Sequence, residues 1–517
     1  MSDPRCGGLL RGRPLTSACH CGGGDGGDGD EALGGVRMSP MTACRSGWTR
    51  KSGRPRILFA GVHRNLPQRH NDLAALIDEA AGGQRPHHHL RPQDQITRDS
   101  LLSSKSPGTS QGTKTYTTIG AQVTSTIQET QGAPTRAELV ARAVALQPLL
   151  RAHASDGEIN RRQADEVIAG LAAAGMFRLH KPAKFGGYPA DVRTVLEVGE
   201  ALGTADGSAA WLVGLGSTAS WLAGLLSPRA QEEVFGSDPD ARIAGSANPI
   251  PGRRVDGGLV VSGRWPYASG SDHAAWASVA VAVVDDSGEN VEPFMCVVPA
   301  SEMRLDDTWH VVGMRGTGSN TWAADDLFVP EHRLIAMSAK SAVGASEGGP
   351  YAVPFAPLAT VALLGPLLGL GQAALSAVLT AAPSKAMQLT VFASQSDSVG
   401  VQMQVAEAAL ALQTARLHAF DVTDMLDGTV EGSRVLTYDD RAQIRAAAGY
   451  AAQQVLRAIH VLVNVHGAGT FAEVNPVQRY WRDANTAARH AGLNAAVGYE
   501  VLGKALLGVE EQVSTMV

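Results

Sequence analysis

The side chains that could do chemistry gather in two stretches of the 517-residue chain. The first, Ser262 to Trp276 (SGRWPYASGSDHAAW), sets Tyr267, Ser269, Gly270 and His273 among small residues at the end of a predicted strand. Aromatic and small polar residues concentrate there beside turn chemistry, a composition that an ordinary β-domain core also shows. The second stretch is Asn475 to Asn494 (NPVQRYWRDANTAARHAGLN), where Asn-Pro suits an N-cap and first helical position. In the helix this predicts, Arg479, Asp483 and His490 share one face without apolar companions. Histidine titrates near neutrality and can move a proton there. On such a face the same residue could also be solvated or structurally bonded.

Other constellations carry less. Gly369 to Ala374 (GLGQAA) matches a dinucleotide fingerprint, but no strand precedes it, so it reads as close helix packing. Gly316-Thr317-Gly318 follows Arg315 in a β-region loop and opens no helix. No phosphate-loop, H-E-x-x-H or G-x-S-x-G pattern occurs. Cys19-His20-Cys21 and the triplet His87 to His89 lack the paired spacing of zinc ligands, so no metal site is expected. A net charge of −6 and no basic run argue against nucleic acid as a partner. The longest apolar stretch, Phe355 to Leu370, is punctuated by Gly and Pro and reads as too short for a membrane span. Four of the five cysteines fall before residue 50, which argues against a disulfide framework and fits a reducing cytoplasm.

The elements that must position these residues follow from periodicity. Residues 1–133 are Gly-, Ser- and Thr-rich and are expected to be disordered, or to be translated from a misplaced start. Residues 134–240 carry helical spacing, with Leu139, Ala143, Leu146 and Leu150 on one face. Residues 241–335 turn to β patterning at Leu259 to Val261, Trp276 to Val284 and Phe294 to Val298. Residues 350–517 return to long helices near Val361 to Ala382, Val401 to Asp427, Asp439 to Val465 and Pro476 to Leu507, the pattern of a four-helix bundle. The fold class is mainly α with a central β domain.

In this order, Ile243 to Pro249 (IAGSANP), Val255 to Gly258 running on to Ser269-Gly270, Met314 to Ser319 (MRGTGS), Asp326 to Pro330 (DLFVP) and Arg482-Asp483-Ala484 resemble the acyl-CoA dehydrogenase superfamily, from Ala137 to Val517. The resemblance implies a helical N-terminal domain, a β-barrel or sandwich domain and a C-terminal four-helix bundle, assembled as a homotetramer. It places Ser246 and Ala247 at the flavin pyrimidine edge, Tyr267 against the ring, Ser269 beside flavin N5 and Gly270 at the strand end. Gly467 and Gly469, after His466, resemble a turn whose backbone approaches the cofactor, often across a subunit interface.

The dehydrogenase branch often takes its base from a Glu in a Tyr-Glu-Gly stretch after the R-D-A, where this chain has His490-Ala491-Gly492. With Trp265 to Gly270 and His273 to Trp276, that stretch resembles the two-component flavin monooxygenases. They use reduced FMN, with FAD possible, supplied by a separate flavin reductase, and O2 to hydroxylate aromatic or polyketide-like molecules through a C4a-hydroperoxyflavin. His490 is then the candidate base for a phenolic substrate, Ser269 the second catalytic residue, and Trp211 a pocket residue. Where many such enzymes carry a second His after that Trp, this chain has Ser217-Thr218-Ala219-Ser220, a departure that points to a different substrate. The resemblance leaves open N-oxidation of an amine or amino sugar, and an FAD-dependent acyl-CoA dehydrogenase with a base such as Glu407.

Overall fold

A computed structural model describes residues 133–284, 291–337, 349, 351–511, 513–514 and 517. Apart from Ala133, the expected N-terminal extension and its Cys and His clusters lie outside the described residues. The described residues open with α1 (Arg136–Asn160), whose N-cap Thr135 and Glu138 bond each other's backbone N–H in a capping box. Then follow α2 (Asp165–Ala173), α3 (Val192–Gly203), α4 (Gly207–Ala223) and α5 (Pro228–Phe235). Asp191 and Asp206 cap α3 and α4 by accepting from Thr194 N and Ala209 N.

The β region forms a sheet from β1 (Ile243–Val255), β2 (Gly258–Ala268), β3 (Trp276–Val284), β4 (Val291–Pro299), β5 (Arg304–Asp306), β6 (Asn320–Pro330) and β7 (Leu334–Ala336). Its order is β5-β6-β2-β1-β3-β4-β7; β1 and β3 run parallel and the other neighbours antiparallel. Trp265, Trp322, Val279, Val281 and Cys296 fill its own core.

After it come α6 (Phe355–Ala362), α7 (Leu364–Ala381), α8 (Val399–Val430), α9 (Tyr438–His466), α10 (Pro476–Ala487) and α11 (Ala495–Leu507). The first and last helical stretches share one core, in which Leu196 and Trp221 lie with Leu358, Leu367 and Leu462. The apolar run also extends further than the sequence reading took it. Phe355–Ala381 is long and apolar enough to cross a bilayer, yet 83% of its most apolar window is buried inside the fold, which accounts for its composition.

Glycine sets the distance between α3 and α7. A Cβ on Gly369 would stand 2.4 Å from Glu200 O, and one on Gly203 would stand 2.8 Å from Pro366 O. The fingerprint-like GLGQAA is therefore helix packing, as its context implied. Gly369→Ala should lower stability by about 1–3 kcal/mol, read from the denaturant midpoint, because α3 must be pushed off α7. An unchanged midpoint would mean that the two helices do not pack this closely.

One expectation fails. The predicted helix from Pro476 to Leu507 breaks: α10 ends at Ala487, Arg489 N and His490 N fold back onto Thr486 O and Ala487 O, and Asn494 caps α11 by accepting from Ala496 N. His490 therefore leaves the Arg479/Asp483 face. It begins the short turn Ala491–Leu493 with an extended backbone, φ −56° and ψ 140°.

Candidate active site

Two neighbouring irregularities open one end of the sheet. Along β1 the register with β3 passes from Ser246↔Val279 to Ile250↔Val281, so Ala247, Asn248 and Pro249 bulge and are exposed. Along β2 it passes from Trp265↔Trp322 to Ala268↔Asn320, so Pro266 and Tyr267 bulge. Ser246 Oγ donates to Pro266 O at 2.7 Å and ties the two bulges together. Such bulges end strand pairing and re-aim side chains beside functional sites. Tyr267 sits at φ 65°, is 65% exposed and meets Trp309 edge-on. Gly270, at φ 83°, takes a conformation that favours glycine.

Behind the bulges runs a chain of hydroxyls. Trp211 Nε1 on α4 donates to Ser269 Oγ at 3.3 Å; Ser269 and Ser319 are 2.8 Å apart; Ser319 and Thr317 are 2.6 Å apart; Thr317 Oγ1 donates to Met314 O at 2.8 Å. Each hydroxyl has one proton, so the last bond fixes the direction of the rest: Ser319 donates to Thr317, and Ser269 to Ser319. Ser269 Oγ already accepts from Trp211 and keeps one free lone pair. It is a ready acceptor for an incoming N–H.

The chain is anchored by Asp483 on α10, which accepts from Met314 N at 2.5 Å and holds Met314 in a left-handed conformation, φ 55°. Burial pushes the Asp483 carboxyl up to about 7, with nearby Asp206 adding to the rise. Folded Asp483 thus keeps its proton up to about pH 7, while an unfolded aspartate ionises near ~4. The stability linked to that proton is full below ~4 and is lost as pH rises through about 7. Asp483→Asn keeps an acceptor for Met314 N–H and has no proton to lose. It should melt above the wild type at pH 8, with the gap closing toward pH 5; parallel melting curves across that range would refute the shift.

His490 and Trp211 meet edge to face, ring centroids 5.6 Å apart, so the break after α10 delivers the imidazole to the indole that holds Ser269. His490 as a whole residue is exposed. Enough protein surrounds it that desolvation, helped by the Arg445 cation, lowers its pKa to about 4. Gly492 N donates to His490 Nδ1 at 3.1 Å. The neutral ring therefore carries its proton on Nε2 and is set to donate there. The expected base role needs the opposite tautomer.

The remaining expectations separate. Gly467 ends α9 at φ 76°, Gly469 O accepts from Asn475 Nδ2 at 3.0 Å, and their turn packs on α9 and α10 rather than beside Ser269. Ser217 and Thr218 spend their hydroxyls on Gly214 O and Leu215 O of their own helix. His273 is structural, with Nε2 3.0 Å from Gln163 O. Glu407 pairs with Arg457 at 2.8 Å on an accessible face, so nothing places it as a base near Trp211 or His490. A cavity of about 700 Å³ lies elsewhere, between Pro134–Ala141 and Pro189–Glu197, and includes none of these residues. Thr317, Ser319 and Arg445 were not singled out as functional from sequence, although the first two lie within the quoted MRGTGS motif; Asp483 was named on the polar face and in the R-D-A motif, but without a role.

Residues 361–495 match the family model of the acyl-CoA dehydrogenase C-terminal domain. The chain is 32% identical over 372 residues to the oxygenase subunit HsaA of a flavin-dependent monooxygenase from Rhodococcus jostii (strain RHA1), covering 71% of this chain and 97% of that protein. It is 31% identical over 386 residues to the oxygenase component of an FADH(2)-dependent resorcinol hydroxylase from Rhizobium sp. (strain MTP-10005), covering 72% and 94%. Among solved structures it is similar to XiaF from Streptomyces sp. in complex with FADH2 and glycerol, with TM-score 0.70, 35% identity and coverage of 73% and 97%.

Proposed function

This chain belongs to the flavin-dependent monooxygenases of acyl-CoA dehydrogenase-like fold, and from that premise we propose that it is the oxygenase component of a two-component system hydroxylating an aromatic or polyketide-like molecule. One oxygen atom of O2 enters the substrate and the other leaves as water, with two electrons and two protons from reduced flavin. A separate reductase supplies that flavin as FMN or FAD. When bound, the flavin supplies the electrons that activate dioxygen.

The residues fit a reduced flavin. Reduced flavin carries an N–H at N5, and the hydroxyl chain leaves Ser269 Oγ a lone pair for such a donor. The bulge that begins after Ser246, at Ala247, would offer backbone polar groups to the pyrimidine edge, and Tyr267 with Gly270 would close the strand end. Trp211 shields the site from water. His490 would hold a proton on Nε2 facing the substrate side of the site, and a neutral donor with a cation behind it would favour an ionised phenol over a protonated amine. The observation that carries this reading is the continuous contact from His490 through Trp211 to Ser269.

We further propose a three-domain layout and a homotetramer in which the Gly467–Gly469 turn serves a neighbour's cofactor. In support, α8 exposes Met403, Leu410 and Leu417 at seven-residue spacing, 69%, 62% and 62% accessible, a stripe that a second copy would cover.

With reduced flavin from an unrelated reductase, 18O2 and a panel of phenols, one labelled oxygen should enter the product. Release of all oxygen as peroxide and water, with no label in any phenol, would refute the aromatic reading.

A further inference from the structure

Arg445 sits on α9 in an alanine-rich stretch and is 4% exposed. α9 and α11 close tightly around it: a Cβ on Gly498 would lie 2.9 Å from Arg445 O, and one on Gly449 would lie 2.7 Å from Ala495 Cα. Among the described residues no carboxylate pairs with the guanidinium. Its Nη1 donates to Gly492 O and its Nη2 to Ala491 O, while Nε is buried without a partner. A cation taken out of water with no counter-charge costs more than two carbonyl bonds return. Helix packing alone would be served better by an apolar side chain, so the charge has another use.

The two carbonyls belong to the turn that His490 begins. Gly492 sends its N–H to His490 Nδ1 and its C=O to Arg445, so the guanidinium fixes the peptide that fixes the ring. Trp211 from α4 meets the ring, Thr360 and Leu363 lie beside Gly492, and among the described residues Arg445 from α9 is the charged group that acts on the ring.

We propose that Arg445 is the positioning residue of His490: it pins the Ala491 and Gly492 carbonyls so that Gly492 N–H stays on Nδ1, which leaves Nε2–H as the ring's proton to offer. This rests on His490 belonging to the catalytic set.

The test reads His490 in the flavin-free full-length protein, through the pH dependence of deuterium exchange at imidazole C2, by mass spectrometry of its peptide. The wild-type midpoint should fall near about 4. In Arg445→Met, shown to be folded by its melting curve, it should rise by about one unit or more. An unchanged midpoint in folded Arg445→Met overturns the proposal. Should that variant not fold, Arg445→Lys decides. It keeps the charge but lacks the planar fork that spans both carbonyls, so the midpoint should stay low while product per flavin oxidised falls about threefold or more; unchanged coupling overturns the proposal. Where Arg445→Met folds, its loss of coupling should nearly vanish in a His490→Ala background, and full additivity would instead show a purely structural role. Full activity of His490→Ala alone would sink the catalytic reading of His490, while the exchange midpoint would still report on Arg445.

Discussion

His490→Ala should lower the hydroxylated product formed per reduced flavin oxidised by roughly a hundredfold, within the usual reach of a positioned proton donor. Oxygen uptake should continue, with hydrogen peroxide taking up the balance. The loss follows from geometry: the ring touches Trp211, Trp211 holds Ser269, and Nδ1 is occupied by Gly492 N–H. What distinguishes a donor from a base is the pattern of rescue. Glutamine carries an N–H donor and should recover about tenfold of the loss, whereas glutamate, an acceptor when ionised, should recover none. The pH profile separates the two roles as well. A ring with its pKa near about 4 stays neutral from pH 5 to 8, so His490 should impose no acid limb near 6.5. Equal hydroxylation by wild type and His490→Ala, or rescue by glutamate alone, would remove the donor role.

Much of the fold could be read in the sequence because burial enforces periodicity. Leu139, Ala143 and Leu150 are buried on α1 as their spacing required, and the segments read as strands lie within β2, β3 and β4. The site was less legible, since its geometry depends on interruptions of regular structure. A period of 3.6 carried the helix on from Pro476, but the chain turns at Ala488 under the local cap of Asn494 and two bonds from Arg445, 47 residues before Gly492. Arg445 itself gave no signal, because an arginine among alanines reads as the solvated side of a helix. The bulges at Ala247 and Tyr267 are likewise matters of register between strands. Ser269 and Trp211 were named from motif resemblance, yet Thr317 and Ser319, which give the hydroxyl chain its direction, passed as the end of the β domain.

That direction yields the second large effect. Ser269→Ala removes the acceptor offered to an N–H and leaves the buried Trp211 indole N–H without its partner. Reduced flavin has a donor at N5 and oxidised flavin does not, so the substitution should weaken binding of the reduced form by about tenfold while barely changing that of the oxidised form. The comparison is made by anaerobic titration against aerobic titration, and it needs no substrate. Thr317→Val is the sharper control, because it leaves Ser269 in place but removes the bond to Met314 O that orients the chain. Ser319 and Ser269 could then reverse their protons, Ser269 would be able to donate, and preference for the oxidised form should rise without loss of overall affinity. If Ser269→Ala weakened both forms equally, the hydroxyl would be filling space and the polarity assigned to the chain would be wrong. If Thr317→Val left the ratio of the two affinities untouched, the direction would be set by the bound flavin and not by Met314.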